Sequence, residues 1–237
     1  MSTDYKPCPF IEKTKPDYLI IPKDPEQKFI NNGIKKKILK PIDIPISTRF
    51  ITKAKNIKDK LNIKNDTKII LIMLGSMGFG NVKEIITPLL EEKNVTIIVT
   101  CGTNEKLYKE LTEYKNKNLL PLKYTNNIND LIYTSDIVLS KPGGLSSTEI
   151  ASIHKPQLHI YPIPSIETYN ANFFEEKFMS IKCQTKEEII ENAKKLLQDK
   201  TPREKIISSK KNYINQNSAK DLVNLNYQKL KKTTVFF

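Results

Sequence analysis

Cysteine, histidine and glycine are all scarce in this 237-residue chain, and no long apolar run is present. The three cysteines, at 8, 101 and 183, stand far apart with no Cys-x-x-Cys spacing. An odd, scattered set argues against a disulfide framework or a structural zinc site and suits a reducing compartment. The only histidines are His154 and His159, too few for a transition-metal centre without clustered thiols, so any metal would have to rest on carboxylates. The longest apolar stretch is six residues, 69–74, against the roughly twenty that a membrane-crossing helix needs. The first twenty residues include Asp4, Lys6, Glu12, Lys13 and Lys15 and no apolar block, so no secretory signal is expected. What remains, 38% hydrophobic and 27% charged residues, describes a globular chain able to bury one sizeable core, as one large domain or one and a half small ones.

Charge is present in excess but unevenly. Of the net +13, residues 1–68 carry 16 Lys/Arg against 8 Asp/Glu, residues 69–200 carry 15 against 16, and residues 201–237 carry 8 against 2. The basic surplus lies at the two ends. Three readings are open: a nucleic-acid groove, attraction to an anionic membrane surface, or compositional drift in a chain rich in Lys, Asn and Ile. No RNP-like aromatic pattern or helix-turn-helix signature supports nucleic acid.

Hydrophobic periodicity predicts an alternating series. Strands are expected over 18–21, 38–42, 69–74, 95–100, 119–124, 136–139 and 157–161. Helices are expected over 25–32, 47–61, 82–91, 105–114, 128–134, 146–154, 169–178 and 186–199, with a basic, mostly helical tail after Pro202. The fold class implied is α/β, a parallel Rossmann-like sheet with helices on both faces. In such sheets ligands bind beyond the carboxyl ends of the strands.

Five of the seven glycines fall in two strand-to-helix loops. Gly75, Ser76, Met77 and Gly78, followed by Gly80, form the first. Close backbone approach and the amides of the next helix suit phosphate there, although a tight turn would also call for glycine. Without Gly-Lys-Ser/Thr it is not a P-loop. Gly143, Gly144, Leu145 and Ser146 form the second, with Ser146 or Ser147 able to cap the helix. Glu149 falls in or near that helix's first turn, either matching its dipole or accepting two hydrogen bonds from a ribose diol. Glu167 and Asn170, three apart near a later helix start, can face one way; a cap plus a solvated polar residue is the plainer account.

These residues resemble a known family. The motifs LGSMGFGN (74–81), SDIVLSKPGGLSSTEIASIHKP (135–156) and YPIPSIETYNANFF (161–174) are similar to the C-terminal domain of family-28-type glycosyltransferases, and closest to the lipid-directed ones. The resemblance implies the C-terminal half of a GT-B fold. Residues 1–46 would be a remnant of an N-terminal acceptor domain and linker, residues 47–200 the UDP-sugar-binding domain, and residues 201–237 the tail. It implies that Gly75 to Gly78 and Gly143 to Ser146 face the diphosphate, that Thr125 meets uracil through its backbone, that Glu149 holds the ribose and that Glu167 reaches the sugar, with Asn170 beside it. No cofactor and no metal are implied. The implied reaction is direct transfer of a hexose from a UDP-sugar to a diacylglycerol-type lipid acceptor. It is placed at the cytoplasmic face of a membrane, with no catalytic residue assigned. A non-catalytic nucleotide-sugar-binding module is the alternative. So is the donor half of a split enzyme, with the N-terminal domain on a separate chain. The isolated chain is expected to be inactive.

Five positions depart from the family pattern. Leu74, Asp43 and Lys123 stand where glycine is usual, and Pro164-Ser165-Ile166-Glu167 replaces the usual Pro-Gly-Gln-Glu.

Overall fold

The computed structural model describes residues 1–74 and 82–234, the last seven of them by backbone alone. Two layers of helix enclose one parallel sheet. Its strands are β3 (Lys68–Met73), β4 (Val95–Gly102), β5 (Leu119–Lys123), β6 (Ile137–Ser140), β7 (Gln157–Ile160) and β8 (Ile181–Cys183), preceded by β1 and β2 described below. They run in the spatial order β5-β4-β3-β6-β7-β8, every pairing parallel.

The central strands form because their residues are β-branched or leucine and have partners on both faces. Along β3, Ile70 and Ile72 join one core with α2 (Val82–Leu90), α3 (Glu105–Thr112) and α7 (Lys186–Gln198). Ile69 and Leu71 join a second core with α4 (Ile128–Thr134), α5 (Gly144–Ser152) and α6 (Ile166–Glu176). Helix starts carry their own signals. Asn104 accepts the Leu107 amide hydrogen, and Thr185 and Glu188 form a reciprocal capping box, satisfying donors that a helix cannot pair internally.

Residues 1–46 hold a small parallel pair, β1 (Leu19–Ile21) and β2 (Leu39–Pro41), with α1 (Glu26–Asn31) between them. Phe29 and Ile21 sit at the centre of a separate small core there. The chain closes with α8 (Lys200–Tyr213) and α9 (Ser218–Thr234). These return to the first residues: Ser218 Oγ donates to Ile44 O (2.9 Å), Asn215 Nδ2 to Ile42 O (3.2 Å) and Tyr18 Oη to Asn226 Oδ1 (2.6 Å). Among the described residues, no helix is long and apolar enough to cross a membrane.

Two expectations about local structure fail. The helix predicted over 47–61 is instead two short 3-10 turns, Thr48–Phe50 and Asp59–Leu61. The apolar residues do turn inward, but α4 takes the backbone between the turns. Asp130 Oδ1 accepts the Lys55 N–H (3.0 Å) and Thr134 Oγ1 the Ile57 N–H (3.0 Å), amides that a helix would have kept for itself. The short edge strand β8 was not anticipated, three residues being too few to show a period.

Candidate functional site

The strand order reverses direction between β3 and β6: the chain winds outward through β4 and β5 on one side and through β7 and β8 on the other. Such a switch point is where an open parallel sheet offers a crevice at the carboxyl ends of its strands. The second glycine loop leaves β6 at this place. Gly75, Ser76, Met77 and Gly78 lie outside the described residues. Leu74 is buried in the core formed with α2.

The second loop delivers α5. Its cap residue is Gly143, and no side chain caps it, which corrects the expectation for Ser146 and Ser147. Ser146 Oγ turns back to Gly143 O (3.2 Å), and Ser147 Oγ faces His159 Nε2 (2.9 Å). With the helix beginning at Gly144, the amides of Gly144, Leu145 and Ser146 belong to its first turn, where helices leave N–H groups for outside partners. The Gly144 N–H points to Asp4 Oδ1 (3.3 Å). Gly144 is glycine for a visible reason: a Cβ there would collide with the backbone carbonyl of Thr3. The close approach anticipated for a ligand is thus made by residues 3 and 4. Leu145 is exposed and Gly143 half-buried.

Glu149 is the sixth residue of α5, so it lies in the second turn and not the first. It is half-buried, and desolvation pushes its pKa above the usual carboxylate range while the Arg49 charge pulls it down. Arg49 packs over the buried Phe50 ring, 4.8 Å from its centroid. It also lines a cavity of about 400 Å³ with Met73, Thr100, Gly102, Lys123 and Thr125, at the carboxyl ends of β3, β4 and β5. Thr125 therefore lines this cavity together with Arg49, the same residue whose charge acts on Glu149. Sequence reasoning missed Arg49, because a lone arginine in an irregular segment carries no pattern.

Glu167 sits in the first turn of α6, where Oε2 accepts the Ile163 N–H (2.9 Å) and lies 3.9 Å from Lys141 Nζ. Lys141, at the start of the second glycine loop, is 13% exposed at its side chain, and burial lowers its pKa against the raising influence of Glu167. Asn170 is fully buried, so it is not a solvated polar residue. Its Nδ2 donates to Asp4 Oδ1 (2.8 Å) and Pro142 O (3.0 Å), and its Oδ1 accepts the Tyr5 N–H (3.0 Å).

Beneath the site runs a buried polar network that the sequence did not disclose. Gln157 Nε2 donates to Ser140 Oγ (3.1 Å) and to His159 Nε2 (3.0 Å), while Gln157 Oε1 accepts from Lys210 Nζ (3.0 Å). With Nε2 accepting, Nδ1 carries the ring hydrogen toward Ser180 Oγ (2.9 Å). Burial and the Lys210 charge depress the His159 pKa to about 3. The network fastens Ser147, and with it α5, to the sheet.

With this geometry in hand, comparison with known proteins is direct. The family model for the glycosyltransferase family 28 C-terminal domain matches residues 69–225. The processive diacylglycerol beta-glucosyltransferase of Bacillus pumilus is 34% identical over 194 residues, 79% of this chain and 50% of that protein. Its Bacillus subtilis counterpart is 33% identical over 180 residues, 73% of this chain and 47% of that protein. The chain thus spans about half the length of the curated relatives it matches. Solved structures share the fold at low identity. S. aureus MnaA with UDP superimposes with a TM-score of 0.72 at 15% identity, covering 91% of this chain and 61% of that one. Anabaena HepE with UDP and glucose gives 0.57 at 16% identity, covering 93% and 63%. The sheet order, the helices on both faces and the matched motifs are those of the C-terminal half of a GT-B fold, and the chain belongs to glycosyltransferase family 28.

Proposed function

We propose that this chain binds a UDP-sugar and presents it for transfer of a hexose to a diacylglycerol-type lipid at a membrane surface. The observation that carries this reading is that a cavity lined by Thr125 and Arg49 opens at the carboxyl ends of β3, β4 and β5, while α5, whose half-buried Glu149 feels the charge of the same Arg49, follows the neighbouring strand β6. Uracil would sit in the cavity against the Thr125 backbone. Glu149 would accept both ribose hydroxyls, and the diphosphate would meet the α5 amides together with the loop of Gly75 to Gly78. Glu167, held by Lys141 and the Ile163 amide, would reach the sugar.

In the transfer, the lipid hydroxyl oxygen bonds to the anomeric carbon as the bond from that carbon to the diphosphate oxygen breaks, UDP departs with the electron pair, and the hydroxyl proton is released to solvent water. The charge that develops on the leaving oxygen is met by amides and a helix dipole already in place, which is the economical way to stabilise it. The Bacillus relatives, named for glucosyl transfer to diacylglycerol, and the UDP-bound structures support the donor and acceptor classes. Residues 1–46 are read as the end of an acceptor domain, residues 47–200 as the donor domain and residues 201–237 as a basic tail. The two basic ends of the sequence meet in space through α9. The basic surplus of these two stretches is read as attraction to an anionic cytoplasmic leaflet. A donor-binding subunit that works with a separate chain is the second reading.

Binding to the native state alone raises its stability by about 2.7 kcal/mol at a hundredfold excess over Kd. UDP is therefore expected to raise the melting temperature by several degrees, and Glu149→Ala to keep the fold but lose more than half of that shift. An undiminished shift in the variant would remove Glu149 from the ribose.

A further inference from the structure

The donor reading above leaves one contact unexplained: a carboxylate already occupies the helix end meant for a diphosphate. Residues 2–6 form a strap across the starts of α5 and α6. Ser2 N–H donates to Ile20 O (2.8 Å), tying the strap to β1. The Thr3 carbonyl lies against Gly144, where no side chain would fit. The Tyr5 ring stacks on Phe173 with centroids 4.2 Å apart, and its hydroxyl meets Thr148 Oγ1 at 2.9 Å. Lys6 Nζ stands 3.5 Å over the exposed Tyr169 ring. Between these anchors the Asp4 carboxylate takes the Gly144 N–H and the Asn170 amide on a single oxygen.

We propose that Asp4 is a gate on the donor site: its carboxylate holds the α5 N-terminus when no donor is bound and must yield before a nucleoside diphosphate can seat there. The inference rests on the donor reading and adds to it a residue that sets how tightly the charged part of the donor binds. The helix end attracts anions of any kind, so carboxylate and diphosphate compete for one amide. A carboxylate left beside the diphosphate repels it. The strap's other anchors are aromatic or neutral and do not depend on the Asp4 charge. Losing that charge should therefore remove the repulsion against a diphosphate without unfastening the strap. Asp4→Asn is nearly isosteric and keeps an oxygen for the Gly144 N–H, so it removes charge and little else.

The test is titration calorimetry of wild type, Asp4→Asn and Asp4→Ala with UDP, with uridine affinity measured by its displacement of UDP. Both variants are expected to bind UDP about ten-fold more tightly, as the loss of one nearby like charge allows, with uridine affinity unchanged. Unchanged or weaker UDP binding in either variant would make Asp4 a brace and overturn the gate. An equal gain for uridine would overturn it as well, because the effect would then not lie at the diphosphate. If no variant bound UDP at all, the donor reading itself would fall, a result separate from both.

Discussion

His159 makes the fold sensitive to acid. Its folded pKa, near 3, lies below the ordinary value of 6.5. The unfolded chain therefore takes up a proton that the folded one refuses, and stability present above pH 6.5 is lost as pH falls toward 3. Between pH 7 and pH 5 the contribution is about 2 kcal/mol. Urea unfolding of wild type and His159→Gln at the two pH values isolates it, because the carboxylates titrate alike in both proteins. The wild type is expected to lose about 2 kcal/mol more than the variant, and parallel losses would show that His159 is not held neutral. Nothing in the sequence marked this residue, because a histidine in a four-residue strand looks the same whether it is solvated or sealed. Glu149 and Asn170 were legible as candidates from their places after a glycine loop and near a helix start. Their actual partners, Arg49 in one case and Asp4 in the other, come from chain segments with no period to read.

At the level of elements, two of the family's missing glycines leave their backbone behind. Asp43 keeps φ +81° and Ser165, the cap of α6, keeps φ +99° with ψ −121°. Asp43 gains a local return, its carboxylate accepting the Lys23 N–H at 2.8 Å. Ser165 makes no side-chain cap hydrogen bond and sits in a region that only glycine enters without strain. Ser165→Gly is expected to stabilise the fold by about 1 kcal/mol after allowing for the greater freedom of the unfolded chain. That corresponds to a rise of about 2–4 °C in Tm, and a lower Tm in calorimetry would show that the serine is accommodated. Strands and helices with long apolar periods were readable in advance, β3 and α7 among them. The segment 47–61 was not: its apolar spacing is helical, and the side chains of Asp130 and Thr134 on a distant helix claim its amides.

For the molecule as a whole, the parallel sheet with helices on both faces follows from the alternation of strand and helix. The strand order does not, because alternation leaves open on which side of β3 each later strand adds. The meeting of both basic ends through α9 could not be foreseen, since it depends on single hydrogen bonds such as that from Ser218 to Ile44. The central claim is that separate loops gather around one nucleoside diphosphate, and amide hydrogen–deuterium exchange with and without saturating UDP tests it most directly. Slowed exchange is expected together in residues 123–128 and 142–149, with β8 and α9 unchanged. Protection of only one of those two stretches, or its appearance at β8 instead, would contradict the account.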